Sequence, residues 1–530
     1  MIVKSAITVL MNENARESID ALVARSVPYT DFTPEVMAEV QHLLSHHGID
    51  DPTLGDMREM AFVTIDNEDT RDLDQALFVE RLVNGWRVFY ALADASFYVR
   101  PGTAIWEEAL RRGTSLYLPD RVIPMLPFEL SEGLISLNPK VDRRALVFEI
   151  DVDDTGHVGS VEVKRARIHS KAKLSYDGVQ RFLDQDDGHA WDSEPWADSL
   201  RELKAVALAR IEAARDRDAL EFDRFDLNLS VDPSGQKMLM VARQRNDVER
   251  YNEQISLLTN MEGARLLHEK AGPTNSIQSV FRVHLPPISE RLRNLRKTLR
   301  ELADAHHLDD SWTWQKSESL SEFLARLPGE PEYARLRAAI ERQVRAANRS
   351  SHFSPHAGPH FALGVDHYAR FTAPMREIVG IFTHKELLEG LGMERAEDNL
   401  ADEALRELVI QAAHEGNTRQ KTVDKESTLF AIQQELLGDL ELDLQQRPMR
   451  VGTIVAIRST RMYVLLDGLP MEVKVYTECL EEYLGEPFEA SDVALSSPSF
   501  RFRLGQEVKL RTQAWDQNKR RVVLVPVSPD

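Results

Sequence analysis

The stretch Thr64-Ile65-Asp66-Asn67-Glu68-Asp69-Thr70-Arg71-Asp72-Leu73-Asp74-Gln75 gathers five acidic residues among twelve, directly after a short apolar run. Asp72 and Asp74 are two apart, so on extended backbone their side chains point the same way. Asp66 joins them if the residues between loop out. Hard divalent cations take oxygen ligands, and Mg2+ is held by a few carboxylates together with water and substrate phosphate. Three such carboxylates suit two ions about 4 Å apart, the arrangement that activates water and steadies the leaving oxygen of a phosphodiester. Spacing alone leaves a second reading open, an acidic loop that merely faces solvent.

Outward from this stretch the chain changes character several times. Residues 1 to about 55 read as short helices, with Pro34 in a first turn and apolar positions at helical spacing on to Leu43 and Leu44. After the turn-rich break from Gly48 to Gly55 come short strands. Trp86, Val88, Tyr90 and Leu92 alternate along one, and Leu146, Phe148, Ile150 and Val152 along another. From about residue 195 the pattern is helical, with Tyr251, Ile255 and Leu258 on one face. The tail from Arg450 returns to strands: 451–457, 462–466, 472–476, 508–515 and 521–527. Five short strands in so little chain predict a small barrel of the OB type. The expected fold class is therefore α+β: a strand-rich then helical catalytic domain over residues 56–440, preceded by the helical segment 1–55 and followed by an all-β OB-fold barrel at 447–530.

Composition narrows the class without naming a function. Hydrophobic residues make up 42% and charged residues 28%, an ordinary globular balance. No run reaches the roughly 20 apolar residues of a spanning helix. The N-terminus has no convincing signal-peptide pattern, and the reading is of a cytoplasmic protein without membrane partners. One cysteine, Cys479, excludes an intrachain disulfide and a cysteine-based zinc site. A net charge of -21 argues against nucleic acid as a partner, because phosphate needs local Lys and Arg. The tail escapes that acidity, with 12 Lys/Arg against 10 Asp/Glu between Arg447 and Val527.

The acidic stretch resembles the first signature of the catalytic domain of the ribonuclease II / ribonuclease R (RNB) family, and further blocks follow in order. Ala93 to Gly102, Arg112 to Pro119, Ile123 to Pro127 and Ala219 to Asp223 are similar to successive family blocks. Phe281 to His284, His360 to Leu363 and Tyr368 to Arg376 complete the series. The resemblance covers about residues 56 to 440. It implies a hydrolytic 3'-to-5' exoribonuclease that degrades single-stranded RNA to nucleoside 5'-monophosphates by a two-metal-ion mechanism, with Mg2+ or Mn2+ and no small-molecule cofactor. The short segment before the domain implies a form without cold-shock domains.

Residue by residue, Asp66, Asp72 and Asp74 fall on three family carboxylates, and Gln75 falls on the fourth. An amide oxygen still ligates a hard cation but carries no charge. Arg376 falls on the family arginine that faces the reacting phosphate, where a guanidinium stabilises developing charge. Beside it Ala373, Glu377 and Gly380 depart from the pattern; Glu377 either orients Arg376 or partly neutralises it. Tyr117 and Phe222 match the aromatics that clamp the 3'-terminal base, since every base offers a π-face. Glu426 matches an acidic residue near the leaving group. Glu253, Gln254 and Asn260 resemble a helix that borders the RNA channel. The tail resembles the ribosomal-protein type of OB domain, with Tyr463, Tyr476 and Trp515 as candidate stacking residues for RNA.

Other readings remain. The histidines at 352, 356, 360 and 367 invite a zinc site, but Pro355 and Pro359 break any helix that would align them. Gln75 and Glu377 suit an RNA-binding protein on the same scaffold that has lost hydrolysis. A metal-dependent phosphatase or deoxyribonuclease uses the same carboxylates without needing the barrel.

Overall fold

The computed structural model describes residues 2–10, 13–27, 29, 31–185, 190–222, 225–232, 237–271, 277–395, 399–468 and 471–527. Its centre is a seven-stranded sheet, ordered Ala172–Ser175, Val63–Asp66, Gln75–Leu82, Gly85–Ala93, Asp142–Val152, Val158–His169 and Gly55–Asp56. Side chains alternate across a strand, and here both faces are covered. Trp86, Val88, Tyr90 and Leu92 pack with Leu146, Phe148 and Ile150 under the helices Ala197–Asp216 and Asp247–Ala271. Phe89, Ala91 and Ala93 enter a second core with Val36 and Val40, Trp106, and Ile378, Ile381 and Phe382. That double burial is why the run from Val88 to Ala93 is apolar without a break.

The sheet register brings the acidic stretch to one end. Val63–Asp66 runs antiparallel to Gln75–Leu82, so the last residue of the first and the first residue of the second lie at the same edge. Ser175 pairs with Asp66 in the parallel neighbour. The loop between the strands is pinned at Leu73, whose amide donates to Ser136 Oγ at 3.0 Å and whose carbonyl accepts from the Leu137 amide at 3.0 Å.

The first 55 residues depart from the expected all-helical segment. Glu13–Ser26 and Pro34–Ser45 are helices, but Ile2–Leu10 is a strand, paired antiparallel with Lys237–Gln244 beside Phe225–Val231. Ile2, Val3, Ile7, Thr8 and Val9 are β-branched and favour extended backbone once a partner strand is available.

The tail forms the expected five-stranded antiparallel sheet, ordered Glu472–Tyr476, Arg461–Leu466, Arg450–Arg458, Glu507–Asp516 and Arg521–Pro526, and its two outer strands approach each other. Its interior is continuous with that of the helices Ser289–Ala305 and Ala334–Ala347: Ile454, Val464 and Leu510 share one core with Leu299, Leu336 and Ile340. Among the described residues, no helix is long and apolar enough to cross a membrane.

Candidate active site

Asp66, Asp74, Gln75 and Arg376 line one pocket at the edge of the sheet, and Asp72 lies close enough to feel Asp66, Asp74 and Arg376 electrostatically. Asp66 Oδ1 is held by its own loop, accepting from the Asn67 amide at 2.7 Å and Thr70 Oγ1 at 3.0 Å. Asp74 is 3% exposed. Its Oδ1 accepts from the Met375 amide at 3.0 Å and its Oδ2 from Arg376 Nε at 2.6 Å. Burial pushes the Asp74 carboxyl up to about 6, against the pull of Arg376 and the Met375 amide. Burial also raises Asp72, again opposed by Arg376. Burial alone would lower the Arg376 guanidinium, but Asp74, Tyr117 and Asp72 outweigh it and keep the charge fixed.

Gln75 is engaged at both ends of its amide. Its Nε2 donates to the Thr372 carbonyl, and its Oε1 accepts from the Tyr90 hydroxyl at 2.5 Å. The side chain therefore ties the sheet to the loop that carries Arg376. Asn260, expected along an RNA channel, is instead buried and secures that same loop. It donates to Tyr368 Oη and Thr372 Oγ1, both at 3.1 Å, and accepts from the Phe371 amide at 2.7 Å. Ser256 adds a bond to Thr372 Oγ1 at 2.9 Å. Glu377 forms its ion pair with Arg370, at 2.5 Å, rather than with Arg376.

The remaining expected residues divide. Tyr117 stands at the cluster, its hydroxyl 3.4 Å from Asp72 Oδ2. Gln420 grips its backbone from both sides, accepting from the Tyr117 amide at 2.9 Å and donating to its carbonyl at 3.0 Å. Phe222 lines an adjoining pocket that shares Arg245, Glu253 and Leu257 with the acidic one, so Glu253 sits at the passage between them. Asp223, the next residue of that block, lies outside the described residues. Glu426 is not among the residues that line the acidic pocket; it lies further along the helix Asn399–Gly438 and pairs with Arg25 at 3.3 Å. Tyr463 and Trp515 belong to the barrel strands, half-buried, and line neither pocket. The histidines do not converge: His352 and His356 are exposed, His360 packs against His284 and Tyr368, and His367 packs at a tilt against His268.

The donor set fits a hard divalent cation. Asp66 and Asp72 are half-buried, and Asp66 keeps Oδ2 outside its loop bonds. Asp74 adds a carboxylate fixed by Arg376. A second acidic group, Glu386, Glu389 and Asp402, is of another kind. The Lys385 ammonium stands within it, 3.0, 2.9 and 2.8 Å from the three carboxylates. It is a buried ion cluster fastening the helix Ile378–Gly390 to Asn399–Gly438.

Residues 55–392 match the family model described as the RNB domain. Ribonuclease R of Escherichia coli (strain K12) is 28% identical over 475 residues, covering 88% of this chain and 56% of that protein. The chain thus spans little more than half the length of that relative. Ribonuclease R 2 of Lactococcus lactis is 27% identical over 529 residues, 97% of this chain and 75% of that protein. The structure of Mycoplasma genitalium RNase R in complex with ribose methylated single-stranded RNA superposes with a TM-score of 0.84 at 21% identity, covering 97% of this chain and 78% of that one. The fold, the acidic pocket at the sheet edge and the extent of the match agree: this chain belongs to the RNB domain family.

Proposed function

We propose that this chain is a cytoplasmic hydrolytic exoribonuclease that shortens single-stranded RNA from its 3' end and releases nucleoside 5'-monophosphates, using Mg2+ or Mn2+. The observation that carries the reading is the convergence of Asp66, Asp72 and Asp74 with Arg376 at the end of a pocket that opens, past Glu253, toward Phe222. The complex of a relative with single-stranded RNA supports the substrate class.

Asp66, Asp72 and Asp74 would hold the metal, two ions in the arrangement the family implies, and bound there it supplies an activated water and charge stabilisation. The chain's own groups do the rest. Arg376 is positioned by Asp74 and presents fixed positive charge where a phosphate gathers negative charge. Tyr117, locked through its backbone by Gln420, stacks the terminal base and sets how far the strand enters. Stacking accepts any base, as an enzyme that consumes a whole strand requires.

Gln75 favours a second reading, an RNA-binding protein with weakened hydrolysis, because its amide is engaged with Thr372 and Tyr90 and adds no charge. A uniformly labelled RNA with a free or blocked 3' end separates the two. The nuclease reading expects 5'-monophosphates from the free end and at least about tenfold fewer from the blocked one. Binding of both RNAs with no monophosphate in Mg2+ or Mn2+ establishes the second reading.

A further inference from the structure

Two acidic groups in this protein each carry one lysine, and the two lysines do opposite things. Lys385 stands among Glu386, Glu389 and Asp402 and bonds to their carboxylates directly. Its ammonium thus fills the place a cation would take. Lys173, on the strand Ala172–Ser175, instead reaches the loop of Asp66, Glu68, Asp69 and Asp72. Its Nζ donates to the Glu68 carbonyl at 2.8 Å and to the Thr70 carbonyl. Both acceptors are main-chain oxygens, so neither bond occupies a carboxylate. Lys173 does not line the acidic pocket, and so holds the loop from outside the space a substrate enters.

The loop depends on such bonds. Residues 67–73 form a turn and irregular backbone, so their main-chain groups need partners from outside. At one end Ser136, fully buried, donates from Oγ to the Arg71 carbonyl at 2.7 Å and accepts from the Leu73 amide at 3.0 Å. Those two bonds lie on either side of Asp72. At the other end Lys173 fixes the Thr70 carbonyl, and Thr70 Oγ1 donates to Asp66 Oδ1 at 3.0 Å. The Thr70 amide closes the turn on the Asn67 carbonyl at 3.2 Å. Lys173 therefore acts on Asp66 through a single residue. Charge points the same way. Between Asp66 and Asp72 the loop carries four carboxylates against Arg71 alone, and their repulsion without metal favours an open loop. An ammonium bonded to the main chain offsets that repulsion and leaves the ligand oxygens available.

We propose that Lys173 is a positioning residue that keeps the acidic loop in its metal-receiving shape before any ion binds, acting on Asp66 through Thr70. This rests on the metal-dependent reading of the acidic pocket and deepens it: the chain assembles its ligands in advance, and the ion does not have to fold them. The entropy of ordering the loop is then lost on folding rather than on metal binding.

The test uses the full chain and needs no RNA. Amide hydrogen exchange of residues 67–73 is followed in EDTA, and Mn2+ binding is measured by calorimetric titration. Lys173→Met is expected to speed exchange in the loop while the strand Gly85–Ala93 keeps its wild-type protection. It is also expected to weaken Mn2+ binding about 10- to 100-fold, and saturating Mn2+ restores the loop's protection. Lys173→Arg, which keeps a charged donor, stays close to wild type in both readouts. Thr70→Val breaks the next link, so it weakens Mn2+ binding as well, and combining it with Lys173→Met costs less than the product of the two losses. Unchanged loop exchange in Lys173→Met, Mn2+ binding as tight as wild type, or fully multiplicative losses with Thr70→Val overturns the proposal. Lost protection throughout the sheet also overturns it, since Lys173 is then a general support of the fold. Wild type that binds no Mn2+ overturns the metal-dependent reading, while exchange in EDTA still decides whether Lys173 holds the loop.

Discussion

Arg376 Nε donates to Asp74 Oδ2 at 2.6 Å across 302 residues of sequence. The pair joins the head of one strand to the loop before the helix Ile378–Gly390; Asp74 keeps Arg376 charged, and Arg376 opposes the burial that raises Asp74. Arg376→Lys keeps the charge but loses the planar fork. The hydrolysis rate should fall by about 10²–10³ with RNA affinity changed far less. Single-turnover kinetics read beside metal-free binding separate the two effects.

Gln75→Asp removes the donor to the Thr372 carbonyl and adds a fourth carboxylate to the cluster. Without metal, the variant should be less stable by about 1–3 kcal/mol, from the unsatisfied carbonyl and like-charge repulsion. With Mn2+ the deficit should shrink, and Mn2+ should bind more tightly than to wild type. Urea unfolding with and without Mn2+, together with calorimetric titration, checks both.

Asp74 sets a pH dependence with a definite sign. Burial raises its folded pKa to about 6, above the roughly 3.9 of an unfolded aspartate. Its contribution to the metal-free fold is thus fully present below about pH 4 and lost as pH rises through 6, a change of about 3 kcal/mol. Metal takes the ionised form, so Mn2+ affinity should rise over the same interval. The stability difference between wild type and Asp74→Asn, followed from pH 4 to 7.5 without metal, isolates the group from other titrations. A difference independent of pH contradicts the assignment.

Gly380 permits the close approach that places Arg376. A Cβ there would lie 2.8 Å from Pro374 Cα, and backbone cannot swing aside as a side-chain tip can. Gly380→Ala should destabilise the protein by about 1–3 kcal/mol and reduce activity further by displacing the 372–376 loop. Thermal melts and activity assays at a temperature where the variant remains folded test this.

Local pattern revealed what depends on local pattern. Trp86, Val88, Tyr90 and Leu92 alternate because one strand face meets one core, and Asp66, Asp72 and Asp74 converge because two strands end at one edge. What escaped the sequence depends on partners distant in the chain. Ile2–Leu10 is extended because Lys237–Gln244 is there to pair with it. Glu377 stands next to Arg376 in sequence yet pairs with Arg370, since Arg376 lies in a turn closed on the Ala373 carbonyl and its side chain is taken by Asp74. Glu426 was singled out by the family resemblance alone, and its partner Arg25 of the helix Glu13–Ser26 is distant in the chain. Gln75 was visible as an amide among carboxylates, whereas its bonds to Tyr90 and Thr372 required the fold. Gln420, which locks Tyr117, carried no sequence signal because its partners are backbone atoms.

Hydrolysis of RNA in the acidic pocket, as proposed, has one direct assay. End-labelled single-stranded RNA incubated with Mg2+ or Mn2+ should yield nucleoside 5'-monophosphates with wild type, while Asp74→Asn should bind the same RNA and release none. Wild type that binds the RNA yet releases no monophosphate with either ion contradicts the claim.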